Sequence, residues 1–206
     1  MSLRALLARQ LGRPSGWAGR FLMAGTLNRV NRRVNAMALD RLALSPDDRF
    51  LDVGFGGGLL LQAAIDRKVR VDGIEISQPM LERARRRFRA ALAAGRLELH
   101  EASVSDMPFP DGTFTKVVTI NTMHFWPDPA AGLREIARVL TPGGRFVLAV
   151  RPKEYIERIA FTDHGFAVFE DDELRALLGG AGLCDIQIEH CADAEMGIVI
   201  VTAAKP

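Results

Sequence analysis

Beyond Ser45-Pro46-Asp47-Asp48 the chain alternates short apolar runs with longer stretches of helical period, and this alternation restricts the fold more than any other feature. Arg49 to Val53, Val69 to Ile76, Leu97 to His100, Thr115 to Ile120 and Arg145 to Val150 read as strands. Leu59 to Asp66, Met80 to Ala94, Pro129 to Leu140 and Asp171 to Ala181 read as helices. Strands separated by helix-length crossovers pair in parallel, and continuous apolar runs suit strands covered on both faces. Two further strands, Asp185 to Glu189 and Gly197 to Thr202, follow. The expectation is an α/β three-layer sandwich around a mostly parallel sheet. In such sheets ligands bind beyond the carboxyl ends of the strands, so function is sought just after each strand.

With 206 residues, 48% hydrophobic and 25% charged, the chain buries a full core without staples, roughly 70% of its unfolded surface. Its two cysteines, Cys184 and Cys191, make no disulfide framework, and no His or Cys cluster has zinc spacing, so no metal is expected. Neither a signal peptide nor a membrane span is legible, and a reducing cytoplasm is the expected location. Charge divides the chain. Residues 1–39 carry seven arginines and no acid, whereas the rest sets 20 bases against 25 acids. Helical spacing at Leu27, Val30, Val34, Met37, Ala38 and Leu42 makes 1–45 a basic N-terminal helical cap ahead of an α/β domain over 46–206. A solvated basic face explains the arginines, as does attraction to an anionic partner.

The first strand runs into Gly54-Phe55-Gly56-Gly57-Gly58 and then a helix. Glycines let the backbone turn tightly and let a ligand reach the amides, while the helix N-terminus favours a carboxylate. The second strand ends in Glu75, placed to accept both hydroxyls of a ribose. A nicotinamide-dinucleotide fingerprint needs its third glycine at position 59, which is Leu59; here it falls at Gly58, and Asp52 stands two residues before the first glycine. No Gly-Lys-Ser or Gly-Lys-Thr follows, which removes a P-loop. A nucleoside-containing ligand other than a dinucleotide is favoured, against the blander reading of a tight strand-to-helix turn.

At these residues the chain resembles the class I S-adenosylmethionine-dependent methyltransferases, and within them the small-molecule subset that includes ubiquinone and menaquinone C-methyltransferases. The resemblance spans about Arg49 to Val150. It rests on Leu51-Asp52-Val53-Gly54-Phe55-Gly56-Gly57-Gly58, on Gly73-Ile74-Glu75-Ile76-Ser77 with Met80-Leu81, on Asp106 to Phe114, and on Leu133 to Gly144. It implies a Rossmann-like seven-stranded sheet with one antiparallel strand, and S-adenosylmethionine as cofactor. By the same resemblance Asp52, Gly54, Phe55, Gly56 and Gly58 hold the methionine end, Glu75 the ribose and Ile76 one face of adenine, with Ser103, Val104 and Asn121 completing the pocket. Many members have an Asp where this chain has Ser103; a serine still accepts a hydrogen bond, though without charge.

After the fourth strand, Asn121 to Trp126 lies where the family opens toward its acceptor. His124 is a candidate general base, or a residue that orients the acceptor, or a hydrogen-bonded structural histidine. Phe21, Trp126, Tyr155 and His164 are expected to line the acceptor pocket, with core packing and a solvated turn as the alternatives for Trp126 and His164. No Asn-Pro-Pro-aromatic segment is present, and arginines spread around 83–96 with Phe88 as their one aromatic do not make a nucleic-acid stripe. The reading is an enzyme that methylates a small molecule by in-line transfer, with weak peripheral contact between the N-terminal arm and anionic membrane. The alternatives are a cofactor-binding module without transfer activity and, third, a nicotinamide-dependent oxidoreductase. The acceptor atom and the oligomeric state are not legible in the sequence.

Overall fold

The computed structural model describes residues 32–158, 167–191 and 197–206. A helix occupies 32–42 (α1). Then follow β1 (Arg49–Val53), α2 (Leu59–Asp66), β2 (Arg70–Glu75), α3 (Gln78–Arg87), α4 (Arg89–Ala93), β3 (Leu97–Glu101), β4 (Phe114–Ile120), a single 3-10 turn (Met123–Phe125), α5 (Pro129–Val139), β5 (Leu140–Val150), α6 (Lys153–Arg158), α7 (Asp171–Gly180), β6 (Cys184–Cys191) and β7 (Ile198–Ala204). The seven strands form one sheet in the order β3-β2-β1-β4-β5-β7-β6. Its first five strands are parallel, and β7 runs antiparallel to both β5 and β6.

Strand alternation explains why the apolar runs are continuous. Leu51, Val53, Val117, Phe146, Leu148, Val150, Val199 and Val201 face one core, completed by Leu133 and Ile136 of α5 and Leu174 and Leu178 of α7. Phe50, Val71, Val118, Val147, Ala149, Ile198 and Ile200 face the other, under helices α1 to α4. Here Val34, Ala38, Leu39 and Leu42 of α1 are all buried, so this part of the basic arm is a layer of the sandwich; the arm's first 31 residues lie outside the described ones.

Local signals set the helix ends. Asp128 caps α5 by accepting from the Ala131 amide at 2.9 Å, ahead of Pro129, and Asp171, Asp172 and Glu173 fill the first turn of α7. Some elements differ from the sequence expectation. The helix expected over Met80 to Ala94 breaks at Phe88, whose ring packs against Gly58, and continues as α4. The strand expected over Arg145 to Val150 starts earlier, at Leu140, and the connection after it begins with α6, whose first turn is closed by Tyr155 and Ile156 amides donating to Pro152 O.

Candidate functional site

At the carboxyl end of β1 the chain turns through three left-handed glycines, Gly54 (φ 73), Gly56 (φ 48) and Gly58 (φ 71). They are required for different reasons. A Cβ on Gly54 would lie 2.6 Å from Thr122 Cγ2, and one on Gly58 2.8 Å from Phe88 Cε2, so these two let neighbouring side chains pack tightly. A Cβ on Gly56 meets nothing nearer than the Gly54 carbonyl at 3.9 Å, which leaves an open cradle over a bare backbone. The Phe55 ring turns inward and packs against Gly73, so this residue offers the loop only its backbone.

Glu75 closes the cradle from β2. Its Oε2 accepts from Gly56 N at 3.0 Å and its Oε1 from Ser77 N at 3.0 Å, so the carboxylate fixes the loop across two strands. A carboxylate has about four lone-pair positions, so acceptor capacity remains for a ligand. Glu75 is buried, and desolvation raises its pKa against the lowering pull of these amides. Asp52 is 3% exposed and its pKa is pushed up to about 8, by desolvation first and then by the negative charge of Glu75. Two buried acids side by side, with no cation against Asp52 among the described residues, make a pocket suited to a cationic ligand group. Next to Glu75, Ile76 is 57% exposed and is the one large hydrophobic side chain found exposed among the described residues, an apolar platform at the mouth of the cradle.

The remaining candidates follow β3, β4 and β5. Val104 is buried, whereas Ser103 is exposed and shares a hydrogen bond with Ser105, 3.0 Å between hydroxyls. Asn121 follows β4 with φ 56, a conformation Asn tolerates better than most residues, and its amide donates to Ala149 O at 2.8 Å. Trp126 rests on Gly132, where a Cβ would meet the indole at 2.8 Å, and its Nε1 donates to Thr122 Oγ1 at 3.2 Å. The Tyr155 ring lies under the Arg151 guanidinium at 5.9 Å. Both nitrogens of buried His124 are engaged by backbone: Nδ1 with Ala167 O at 2.7 Å, Nε2 with Arg151 N at 3.1 Å. In this arrangement the lone pair a general base needs already accepts an amide proton. Phe21 and His164 lie outside the described residues.

The structure adds residues that sequence reasoning missed. Thr119 Oγ1 donates to Val53 O at 3.0 Å and contacts Thr122 Oγ1, tying the β4 loop to the glycine turn. Arg87 donates to Gly57 O at 2.8 Å. Arg138 donates to Phe109 O, Met107 O, Asp111 and Glu135, and Glu135 accepts from Met107 N, so α5 clamps the 107–111 loop. These long-range pairs leave no local pattern, although Glu135 and Arg138 at i, i+3 could have signalled a helix-surface pair. The Asp72, Glu98 and His100 group has the composition of a metal site, but Arg49 and Arg70 already pair with its acids at 3.2 Å.

Comparison with known proteins gives the same picture. Residues 51–148 match the family model described as a methyltransferase domain. The chain is 31% identical over 126 residues to the uncharacterized methyltransferase YdaC of Bacillus subtilis, covering 60% of this chain and 67% of that one. It is 38% identical over 127 residues to the demethylmenaquinone methyltransferase of Symbiobacterium thermophilum, covering 60% of this chain but only 49% of that relative. Among solved structures, the methyltransferase from Haloferax volcanii in complex with the Trm112 activator superposes with a TM-score of 0.79 at 23% identity, over 89% of this chain and 93% of that one, a likeness of fold.

Proposed function

Because the chain belongs to the methyltransferase domain family, we propose that it transfers a methyl group from S-adenosylmethionine to a small-molecule acceptor. The observation that carries this reading is the pairing of Glu75 with the Gly56 amide beside the open cradle and the exposed Ile76. The donor set fits the ligand's parts in order. Asp52 and the backbone from Gly54 to Gly58 meet the cationic methionine end, Glu75 accepts from the ribose hydroxyls, Ile76 covers one adenine face, and Val104, Ser103 and Asn121 line the remaining edges. When bound, S-adenosylmethionine supplies an electrophilic methyl carbon on a sulfonium.

The chain's own work is then to hold and align. Glu75 keeps the glycine turn and the ligand's ribose in one frame, and the buried acids favour a positive charge in a site with little water. The acceptor is drawn to the ends of β4 and β5, where Trp126 and Tyr155 supply apolar walls for a small, apolar molecule. A nucleophile that is aligned and desolvated needs no strong base, so His124 is not required as one. The catalytic unit over 46–206 takes in the 32–42 helix of the expected cap as a packed layer, and weak contact of the remaining basic residues with anionic membrane predicts salt-sensitive co-sedimentation with anionic vesicles.

The test supplies methyl-labelled S-adenosylmethionine with a panel of hydroquinones, phenols, amines and thiols. Transfer of label with equimolar S-adenosylhomocysteine supports the reading and names the acceptor atom. Tight cofactor binding with no transfer across the panel moves the non-catalytic binding module ahead.

A further inference from the structure

His124 joins three separated parts of the chain. It sits in the 3-10 turn after β4, 3% exposed, and Nε2 lies 3.1 Å from the amide of Arg151, the residue after β5. A backbone N–H only donates, so Nε2 must be the bare nitrogen and the proton must sit on Nδ1. Nδ1 then donates to Ala167 O at 2.7 Å, and Ala167 N returns a bond to His124 O at 3.1 Å. The imidazole also lies against Phe169, with ring centroids 6.0 Å apart.

Arg151 and Ala167 stand near the two ends of the connection between β5 and α7. A second link spans the same ends, Lys153 Nζ to Glu170 Oε1 at 2.7 Å. The Arg151 guanidinium passes the constraint on, donating to Gly197 O at 2.6 Å and covering the Tyr155 ring. On the other side, Thr122 of the same β4 loop holds the Trp126 indole.

We propose that His124 is a positioning residue for the acceptor side of the site: as the neutral Nδ1–H tautomer it ties the β4 loop to both ends of the β5–α7 connection and thereby sets Trp126 and Tyr155. This rests on the methyl-transfer reading, which puts the acceptor over β4 and β5. The glycine turn and Glu75 stand on β1 and β2 and meet the β4 loop through Thr119 and Thr122; none of the hydrogen bonds of His124 given above reaches them. The neutral tautomer is favoured by burial and by the Arg151 charge, both of which lower the imidazole pKa below its ordinary value. Protonation of Nε2 would set two donors face to face and break the Arg151 bond.

Backbone amide exchange, followed by NMR on the full chain, tests this at Arg151 and Ala167. Wild type, His124→Ala and His124→Gln are compared from pH 7.5 down to pH 4.5, with S-adenosylhomocysteine affinity measured by calorimetry on each. Glutamine retains a donor and an acceptor but cannot be protonated. The expected result is strong protection in wild type that falls with acid. His124→Gln should keep most of that protection without the acid limb, and in His124→Ala exchange at both amides should be at least tenfold faster, with ligand affinity within threefold throughout. Equal protection in wild type and a folded His124→Ala protein overturns the proposal, as does an alanine variant that loses ligand affinity in parallel. If His124→Ala does not fold, the glutamine variant and the wild-type acid limb decide: an acid limb that persists in His124→Gln overturns it. With an acceptor in hand, His124→Gln should keep at least a third of kcat; a hundredfold loss with protection intact makes His124 a base instead. Failure of wild type to bind S-adenosylhomocysteine counts against the methyl-transfer reading and leaves the exchange data to judge the tie itself.

Discussion

Replacing Asp52 by asparagine isolates the charge that the cofactor cradle is built to offer. Asp52 is buried next to Glu75, and desolvation followed by the Glu75 charge pushes its pKa up to about 8. Asp52 therefore carries a proton in the free protein near neutral pH. A ligand whose ammonium needs the ionised pair must expel that proton. With a pKa of about 8, the protonated form outnumbers the ionised one by about 10 to 1 at pH 7 and about 100 to 1 at pH 6. Apparent affinity is reduced by the same fractions. The dissociation constant for S-adenosylhomocysteine should therefore rise about tenfold per unit as pH falls from 8 to 6 and level off at higher pH. Calorimetry in buffers of different ionisation enthalpy should register about one proton released at pH 7, after correction for the ligand's own titration. Asp52→Asn should flatten the profile and abolish most of that release. The stability of the free protein gives the opposite sign check. An acid whose folded pKa is raised contributes stability at low pH that is lost as pH rises from about 4 through about 8, and the asparagine variant should lose that slope. A pH-independent dissociation constant between pH 6 and 8, with no proton released, would refute the reasoning.

Four further outcomes follow from contacts in the glycine turn, the loops and the core. Gly56→Ala places its Cβ in open space, so it should cost only about 1 kcal/mol of stability from backbone strain yet weaken S-adenosylhomocysteine binding more than tenfold; Gly54→Ala collides with Thr122 and should cost about 2 kcal/mol or more by urea melting. Arg138→Ala frees the 107–111 loop and should lower stability by about 2 kcal/mol, with faster amide exchange at Met107 as the local check. Leu42→Ala opens a cavity between α1 and the sheet and should cost about 3 kcal/mol in denaturant titration, whereas a loss below about 1 kcal/mol would mean that α1 is not integral to the core.

The glycine turn and the acids beside it were legible because their signals are local. Asp52, the glycine turn and Glu75 lie at strand ends, and a positive φ at Gly54, Gly56 and Gly58 is what those glycines announce. The sheet was legible for a similar reason, since apolar runs such as Phe146 to Val150 serve two cores at once. The ties that hold the loops were not, because they are bonds between distant segments: Arg151 to His124, Thr119 to Val53, Arg138 to the 107–111 loop. A histidine between apolar neighbours reads alike whether its nitrogens face substrate or backbone, and only the fold brings Ala167 and Arg151 to His124. The break at Phe88 was missed for the same cause: the helical period continues through it, and the need to seat its ring on Gly58 is a tertiary constraint.

The most direct test of the central claim is calorimetric titration of the full chain with S-adenosylmethionine, S-adenosylhomocysteine and NADH, with Glu75→Ala alongside. Loss of two charge-assisted hydrogen bonds to a ribose should weaken binding at least tenfold. The account predicts that both sulfur ligands bind wild type, that Glu75→Ala loses at least that factor for each, and that NADH gives no heat. Binding of NADH that depends on Glu75, or no binding of either sulfur ligand, would contradict it.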